Sequence, residues 1–160
     1  MLFLADKLHL VRYGRTITGD DYWALPHGPA PTTVLNVLDA VLRGSVFPGS
    51  RALLSAIEID DTVKHPRIRA TQEPDWDCLS KSDIEALDLT LERYGRSSFK
   101  KLWKLTHSMS AYKNAWDQRG TRRSSPMSFE DFFDGDHDVV DGVLEEVRED
   151  SETREAFAVS

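Results

Sequence analysis

Leu2, Ala5, Leu8 and Val11 recur at three-residue intervals, the spacing of one helical face, and Gly14 follows where a left-handed C-cap belongs. The spacing predicts a first helix ending near Tyr13. No Ser, Thr, Asp or Asn caps its start, so the chain begins inside the apolar pattern and further sequence upstream is expected. A second stripe, Val34, Leu35, Leu38, Val41 and Leu42, follows a cap at Thr32 or Thr33 and stops at Gly44. Ser80-Lys81-Ser82-Asp83 is a capping box with Leu79 placed to staple onto Ile84. It opens a helix with Ile84, Leu87, Leu91 and Tyr94 on its inner face and Gly95 at its end. Ser97 or Ser98 then caps a shorter helix on which Phe99, Leu102, Trp103 and Thr106 face inward, while Lys100, Lys101 and Lys104 face water.

Between these helices the pattern changes. Residues 45 to 78 carry Pro48, Gly49, Pro66 and Pro74, and the runs 55–60 and 67–71 alternate apolar with polar, which predicts a small antiparallel sheet. The stretch from Gly14 to Pro29 has a glycine stop, a short polar-apolar run and a Gly28-Pro29 corner. Proline fixes its own φ and restricts the glycine before it, so a rigid segment is expected there. Residues 119–126 read as a loop, and Ser128-Phe129-Glu130-Asp131 opens a brief helix with Phe129, Phe132 and Phe133. A last helix from about Asp138 carries Val140, Val143, Leu144 and Val147, and beyond Arg148 the charge density predicts a frayed acidic tail. The expected fold class is mainly α: a single compact helical domain, residues 1–147, with a small antiparallel β element and a tail over 148–160.

A length of 160 residues fits about one domain, and 40% hydrophobic with 29% charged residues is an ordinary globular composition. The apolar run Met1 to Ala5 meets Asp6 and Lys7 at once, too soon for a signal peptide or a membrane span, which points to a cytoplasmic protein with no membrane partner. Cys78 is alone, so the chain holds no internal disulfide, and beside Trp76 it reads as a packing residue. The net charge of −7 disfavours nucleic acid as a partner. The charge is unevenly spread. Residues 96–123 hold eight basic side chains against Asp117, whereas residues 134–155 hold ten acids against Arg148 and Arg154. Such an asymmetry fits solvated faces, a self-neutralising contact or two faces for a partner.

The ordered motifs Leu4-Ala5-Asp6, Gly14-Arg15-x-Ile17-Thr18-Gly19, Tyr22, Ala24-Leu25, Gly28-Pro29, Leu79-Ser80, Tyr94-Gly95, Leu102 and Thr106-His107 resemble the Panacea domain family, which includes SocA-type antitoxins and phage-associated GepA-like proteins. The resemblance spans roughly Met1 to Val147. It implies a mainly helical antitoxin that neutralises a toxin protein by direct contact, without chemistry or a cofactor of its own. In the SocA type it implies an adaptor that hands the toxin to the ClpXP protease. Members usually carry more sequence before the Leu-Ala-Asp segment.

The residues give other chemistries weaker support. Cys78, the serines and the histidines His9, His27, His65, His107 and His137 form no local hydrolase motif. Asp134, Asp136, Asp138 and Glu145 fit places of a calcium loop, but Val139 stands where that loop needs glycine, and a helix N-terminus explains the same acids. Phe99, Trp103, Tyr112 and Trp116 interleave with basic residues as in a nucleic-acid face, although Phe99 and Trp103 share a helical side with Leu102 and read more simply as core. His107, ending a helical stretch, suits the negative end of its dipole, and His27 either bonds the corner or faces a partner. The candidate partner contacts are Arg15, Trp23, His27, Lys101, Lys104, His107 and Trp116. Gly14, Gly28, Pro29, Ser80 and Gly95 are the candidate structural positions.

Overall fold

A computed structural model of the chain describes residues 1–45, 50–60, 62 and 67–133. Helices dominate these residues, with a small antiparallel sheet among them. In chain order they are α1 (Leu2–Tyr13), β1 (Tyr22–Leu25), β2 (Gly28–Pro31), α2 (Thr32–Leu42), α3 (Ser50–Ala56), β3 (Ile57–Asp60), β4 (Arg67–Ala70), α4 (Lys81–Tyr94), α5 (Phe99–Ser108), α6 (Ser110–Gln118) and β5 (Ser125–Pro126). Short 3-10 turns lie at Trp76–Cys78 and Glu130–Phe132. The chain divides into two compact units, Met1–Pro31 with Lys81 onward, and Thr32–Ser80. The last expected helix, the calcium-like acids and the tail lie outside the described residues.

In the first unit α1 is enclosed. Its apolar spacing reads as one stripe, yet every residue from Phe3 to Leu10 is buried, including Asp6, Lys7 and His9. The enclosure comes from α4, β2 and the Glu130–Phe132 turn, which all pack on it. Its polar side chains are tolerated because they are bonded: Lys7 Nζ donates to the Phe132 carbonyl, and among the described residues no buried side-chain polar atom lacks a partner. Phe3 anchors the core by meeting Tyr22 and Phe132 edge to face, with ring centres 5.4 and 5.3 Å apart.

Strand β1 lies between β2 and β5, antiparallel to both, with Leu25 opposite Gly28 and Trp23 opposite Pro126. Tyr22 and Ala24 point into the core while Trp23 and Leu25 are half-buried on the other face, as the two-residue period of a strand requires. The segment read as a corner is therefore a hairpin turned at Pro26-His27. Pro29 and Pro31 fit because β2 is an edge strand among the described residues, where a missing N–H breaks no ladder. Gly28 has φ +123°, and a Cβ there would lie 3.3 Å from Thr106 Oγ1, so both conformation and space favour glycine.

The inner face of α4 differs from the expected stripe. Asp83, Ala86 and Thr90 are buried, Ile84, Leu87 and Tyr94 are half-buried, and Leu91 is 57% exposed. Helix α1 presents the polar His9 to α4, so the side that packs includes a carboxylate, and apolar spacing alone points the helix wrongly. Gly95 follows Tyr94, and its φ lies outside the left-handed region. The constraint there is space, since a Cβ would sit 2.5 Å from the Leu91 carbonyl oxygen. Ser98 caps α5 by accepting from Lys101 N at 3.3 Å. Extended backbone at buried Met109 (φ −73°, ψ 142°) then separates α5 from α6, a helix that apolar spacing left unread.

In the second unit Gly44 ends α2 at φ +69°, and β3 pairs with β4 in the expected region, with Ile59 opposite Ile68. The first strand starts only at Ile57 because α3 occupies the residues before it. Cys78 is exposed, which overturns its reading as a packing residue. Its thiol donates to Asp75 at 3.4 Å, and that bond with the neighbouring carboxylate raises its pKa.

Candidate functional site

Two clusters of side chains in the first unit give the family-like motifs a physical meaning. In the first, buried Asp6 holds the loop after α1. Its Oδ1 accepts from the backbone N–H groups of Ile17 (2.8 Å) and Thr18 (3.0 Å), while Oδ2 accepts from the Thr18 hydroxyl and from Tyr22 Oη at 2.7 Å. Burial, and then the Asp6 carboxylate, push the Tyr22 pKa far above the usual phenol value. Next to it, His9 Nδ1 donates to the Arg15 carbonyl at 2.8 Å, and Nε2 lies 3.0 Å from both Ser82 Oγ and Asp83 Oδ1. Arg15 reaches the same Asp83 oxygen at 2.7 Å. The structure thus puts Arg15 in the seam between α1 and α4.

The second cluster is built on the hairpin tip, α5 and α6. Tyr112 Oη donates to the Leu25 carbonyl at 2.8 Å and Trp103 Nε1 to the Pro26 carbonyl at 3.4 Å, which ties both helices to the turn. The bare Cα of Gly28 lets Thr106 approach. Four rings then follow one another. Trp103 stacks on His107 with centres 4.0 Å apart, His107 lies 4.0 Å from Tyr112, and Tyr112 stacks on Trp116 at 5.7 Å and 14°. The Arg119 guanidinium caps the row 3.8 Å above the Trp116 ring. His107 Nδ1 donates to the Trp103 carbonyl at 2.8 Å, so the imidazole is held in the row through a protonated Nδ1. Burial raises the Tyr112 phenol pKa, opposed by the charge of Arg119.

At the α5 end the row opens to solvent. Phe99 is 67% exposed and Trp103 38% exposed, which overturns their reading as core; Leu102, Leu105 and Thr106 fill the interior instead. His27 approaches Phe99 edge-on at 6.4 Å, and Lys100, Lys101 and Lys104 are exposed along the same helix. His27, Lys101, Lys104, His107 and Trp116 therefore sit on three adjoining elements. Trp23 is half-buried on β1, and Arg15 belongs to the α1–α4 seam. Phe99, Trp103 and Arg119 complete the face, and Tyr112, buried in the core, backs its rings from within. Their signal was the i, i+4 spacing of Phe99, Trp103 and His107, and again of Tyr112 and Trp116.

Flat rings, fixed cations and a few donors can bind apolar and anionic surface on a macromolecule. Among the described residues no group of three His, Cys, Asp or Glu side chains is placed to hold a metal ion, and no helix is long and apolar enough to cross a membrane. A family model described as "Antitoxin SocA-like, Panacea domain" matches residues 1–117, from α1 through nearly all of α6. No curated protein and no solved structure matches the chain.

Proposed function

Because the chain belongs to the SocA-like Panacea domain family of antitoxins, we propose that it neutralises a cognate toxin protein by direct contact and that the toxin docks on the hairpin tip and α5. One observation carries this reading: Phe99, at 67% the most exposed large apolar side chain among the described residues, and Trp103 are exposed beside three exposed lysines on α5. Large exposed rings rimmed by charge are characteristic of protein interfaces, where tryptophan anchors carry much of the affinity. The face contributes grip and orientation, and no bond-breaking step is assigned to it.

Lys101→Glu with Lys104→Glu tests the assignment. Both lysines are exposed, so the thermal melt is expected to stay within about 2 °C of the parent. Affinity for the toxin encoded by the neighbouring gene is expected to fall about tenfold or more, with a weaker dependence on salt. Unchanged affinity in a direct binding assay removes this face from the interface. Delivery to ClpXP, the mode that resemblance to SocA implies, differs from simple occlusion in its effect on the toxin. Delivery shortens the toxin's lifetime only when the protease is present, whereas occlusion restores growth at constant toxin level.

A further inference from the structure

We propose that the open edge of β4 is a docking site for an extended segment of another protein in which apolar residues alternate with acidic ones, bound as a third strand beside β3 and β4. The site lies in the second unit and does not rest on the toxin contact assigned to α5. Burial shows that a further element is needed. Val41 is the one buried residue among those described in Thr32–Ser80, whereas Leu35, Leu42, Leu54, Ile68 and Trp76 are 43–54% exposed. So much uncovered apolar surface marks an interaction site, and two paired strands without a third are marginal in water.

The strand pair fixes what can dock. Ile57 stands opposite Ala70 and Ile59 opposite Ile68, so one face is apolar; Glu58 opposite Arg69 and Asp60 opposite Arg67 make the other face charged. The run Ile57-Glu58-Ile59-Asp60 thus shows the composition that fits beside β4. Its acids do not use up the arginines: Asp60 accepts from Thr62 N at 3.1 Å, and among the described residues no ion pair engages Arg67 or Arg69. Each guanidinium is open to a carboxylate on the far side of β4. The backbone is open too. Thr71 N–H donates to the Ala56 carbonyl at 2.9 Å, and by the alternation of an antiparallel ladder Arg69 and Arg67 then bond to β3, while Ile68 and Ala70 turn N–H and C=O to the unpaired edge. Thr71 Oγ1 and Gln72 Nε2 donate to the Ser55 carbonyl at 3.1 and 2.9 Å and fasten the end of β4, so docking orders little chain. A second copy's β4 is a poor occupant, because pairing that keeps the apolar face continuous brings arginine against arginine. An acidic strand meets opposite charge and gains the main-chain bonds of strand addition.

The test uses the full chain and a short labelled peptide that alternates valine with glutamate, capped at both ends and followed by fluorescence anisotropy. A peptide of the same residues in block order and one alternating valine with lysine are the controls. The alternating acidic peptide is expected to bind about tenfold or more tightly than either control, and Arg67→Glu with Arg69→Glu should lower its affinity by about the same factor. Ala70→Pro removes an outward N–H and leaves the bonds to β3 in place, so it too should weaken binding about tenfold while the thermal melt stays that of the parent. In hydrogen exchange the Ile68 and Ala70 amides should slow about tenfold or more at saturating peptide, which charge attraction without pairing does not produce. The exchange measurement needs no variant, so a perturbed Ala70→Pro fold does not shield the proposal. No binding, equal affinity for the alternating and block peptides, or unchanged exchange at Ile68 and Ala70 overturns it. Self-assembly of the parent that the peptide dissolves also overturns it, because a second copy then fills the edge.

Discussion

Asp6→Ala removes an acceptor that four donors share, and the structure allows its cost to be worked out. Hydrogen bonds to a charged group contribute about 1.5–3 kcal/mol each, but the donors left behind differ in their access to water. Thr18 is exposed and Ile17 half-buried, so solvent recovers much of what their N–H groups and the Thr18 hydroxyl lose. Tyr22 is 1% exposed, and its phenol, now facing a methyl group, keeps the full penalty of a buried unpaired donor, about 1–3 kcal/mol. With about 1 kcal/mol for the remaining contacts and the void, the total is about 2–4 kcal/mol, a large share of a domain stability of about 5–15 kcal/mol. A urea titration should show the midpoint falling at nearly constant m-value, and the thermal midpoint should drop on the order of 10 °C. Tyr22→Phe separates the terms. In the cycle with Asp6→Ala the pair should couple by about 1–3 kcal/mol, since the double variant leaves no orphaned phenol. A single variant within about 1 kcal/mol of the parent, or additive losses, would refute the assignment of Asp6 as the pin of this loop.

Gly28→Val combines a disfavoured φ with a Cβ pressed to 3.3 Å from Thr106, and is expected to cost about 2–3 kcal/mol in a melt. Gly14→Ala, also left-handed but with nothing within 4 Å, should cost only about 1 kcal/mol, and equal losses would remove the Thr106 contact from the argument. Alkaline stability checks Tyr22 independently. Its raised pKa means that the folded chain keeps a proton that the unfolded chain loses above pH about 10. The contribution is therefore complete below that pH and declines above it by about 1.4 kcal/mol per pH unit. Tyr22→Phe should flatten that decline in urea melts between pH 9 and 11. It should not abolish it, because burial also raises the pKa values of Tyr94 and Tyr112.

Local chemistry was readable in the chain and burial was not. Gly14 marks the end of α1, Gly44 that of α2, and the box at Ser80 the start of α4, because caps act within a few residues of themselves. Apolar spacing then failed wherever a polar side chain was buried with a partner. Asp6, Lys7 and His9 count as outward by period, and their burial is tolerable because Ile17, Thr18 and Tyr22 donate to Asp6 while the Phe132 and Arg15 carbonyls accept from Lys7 and His9. The same assumption turned Phe99 and Trp103 inward. Spacing correctly put them on one side of α5, but which side meets solvent is decided by Leu102, Leu105 and Thr106 packing on the core. The hairpin was hidden by its prolines, which read as a corner until the edge position of β2 makes them compatible with a strand.

These differences separate what makes the chain a family member from what can select its partner. Leu4, Ala5, Asp6, Tyr22, Ala24, Gly28 and Thr106, all within the motif succession, are buried; Tyr22 bonds Asp6 between the hairpin and α1, and Thr106 of α5 lies close against Gly28. Substitution there acts through the scaffold and should change stability and binding together. Phe99, Lys100, Lys101, Trp103 and Lys104 are exposed, and among the described residues their side chains meet the scaffold through Trp103 Nε1 on the Pro26 carbonyl, the Trp103 ring on His107 and the Phe99 ring beside His27. They are free to vary with the partner at little cost to the fold. An interior that positions a face without using it leaves that face able to change at little cost to the fold. It also means that affinity lost without loss of stability is the readout that identifies this surface.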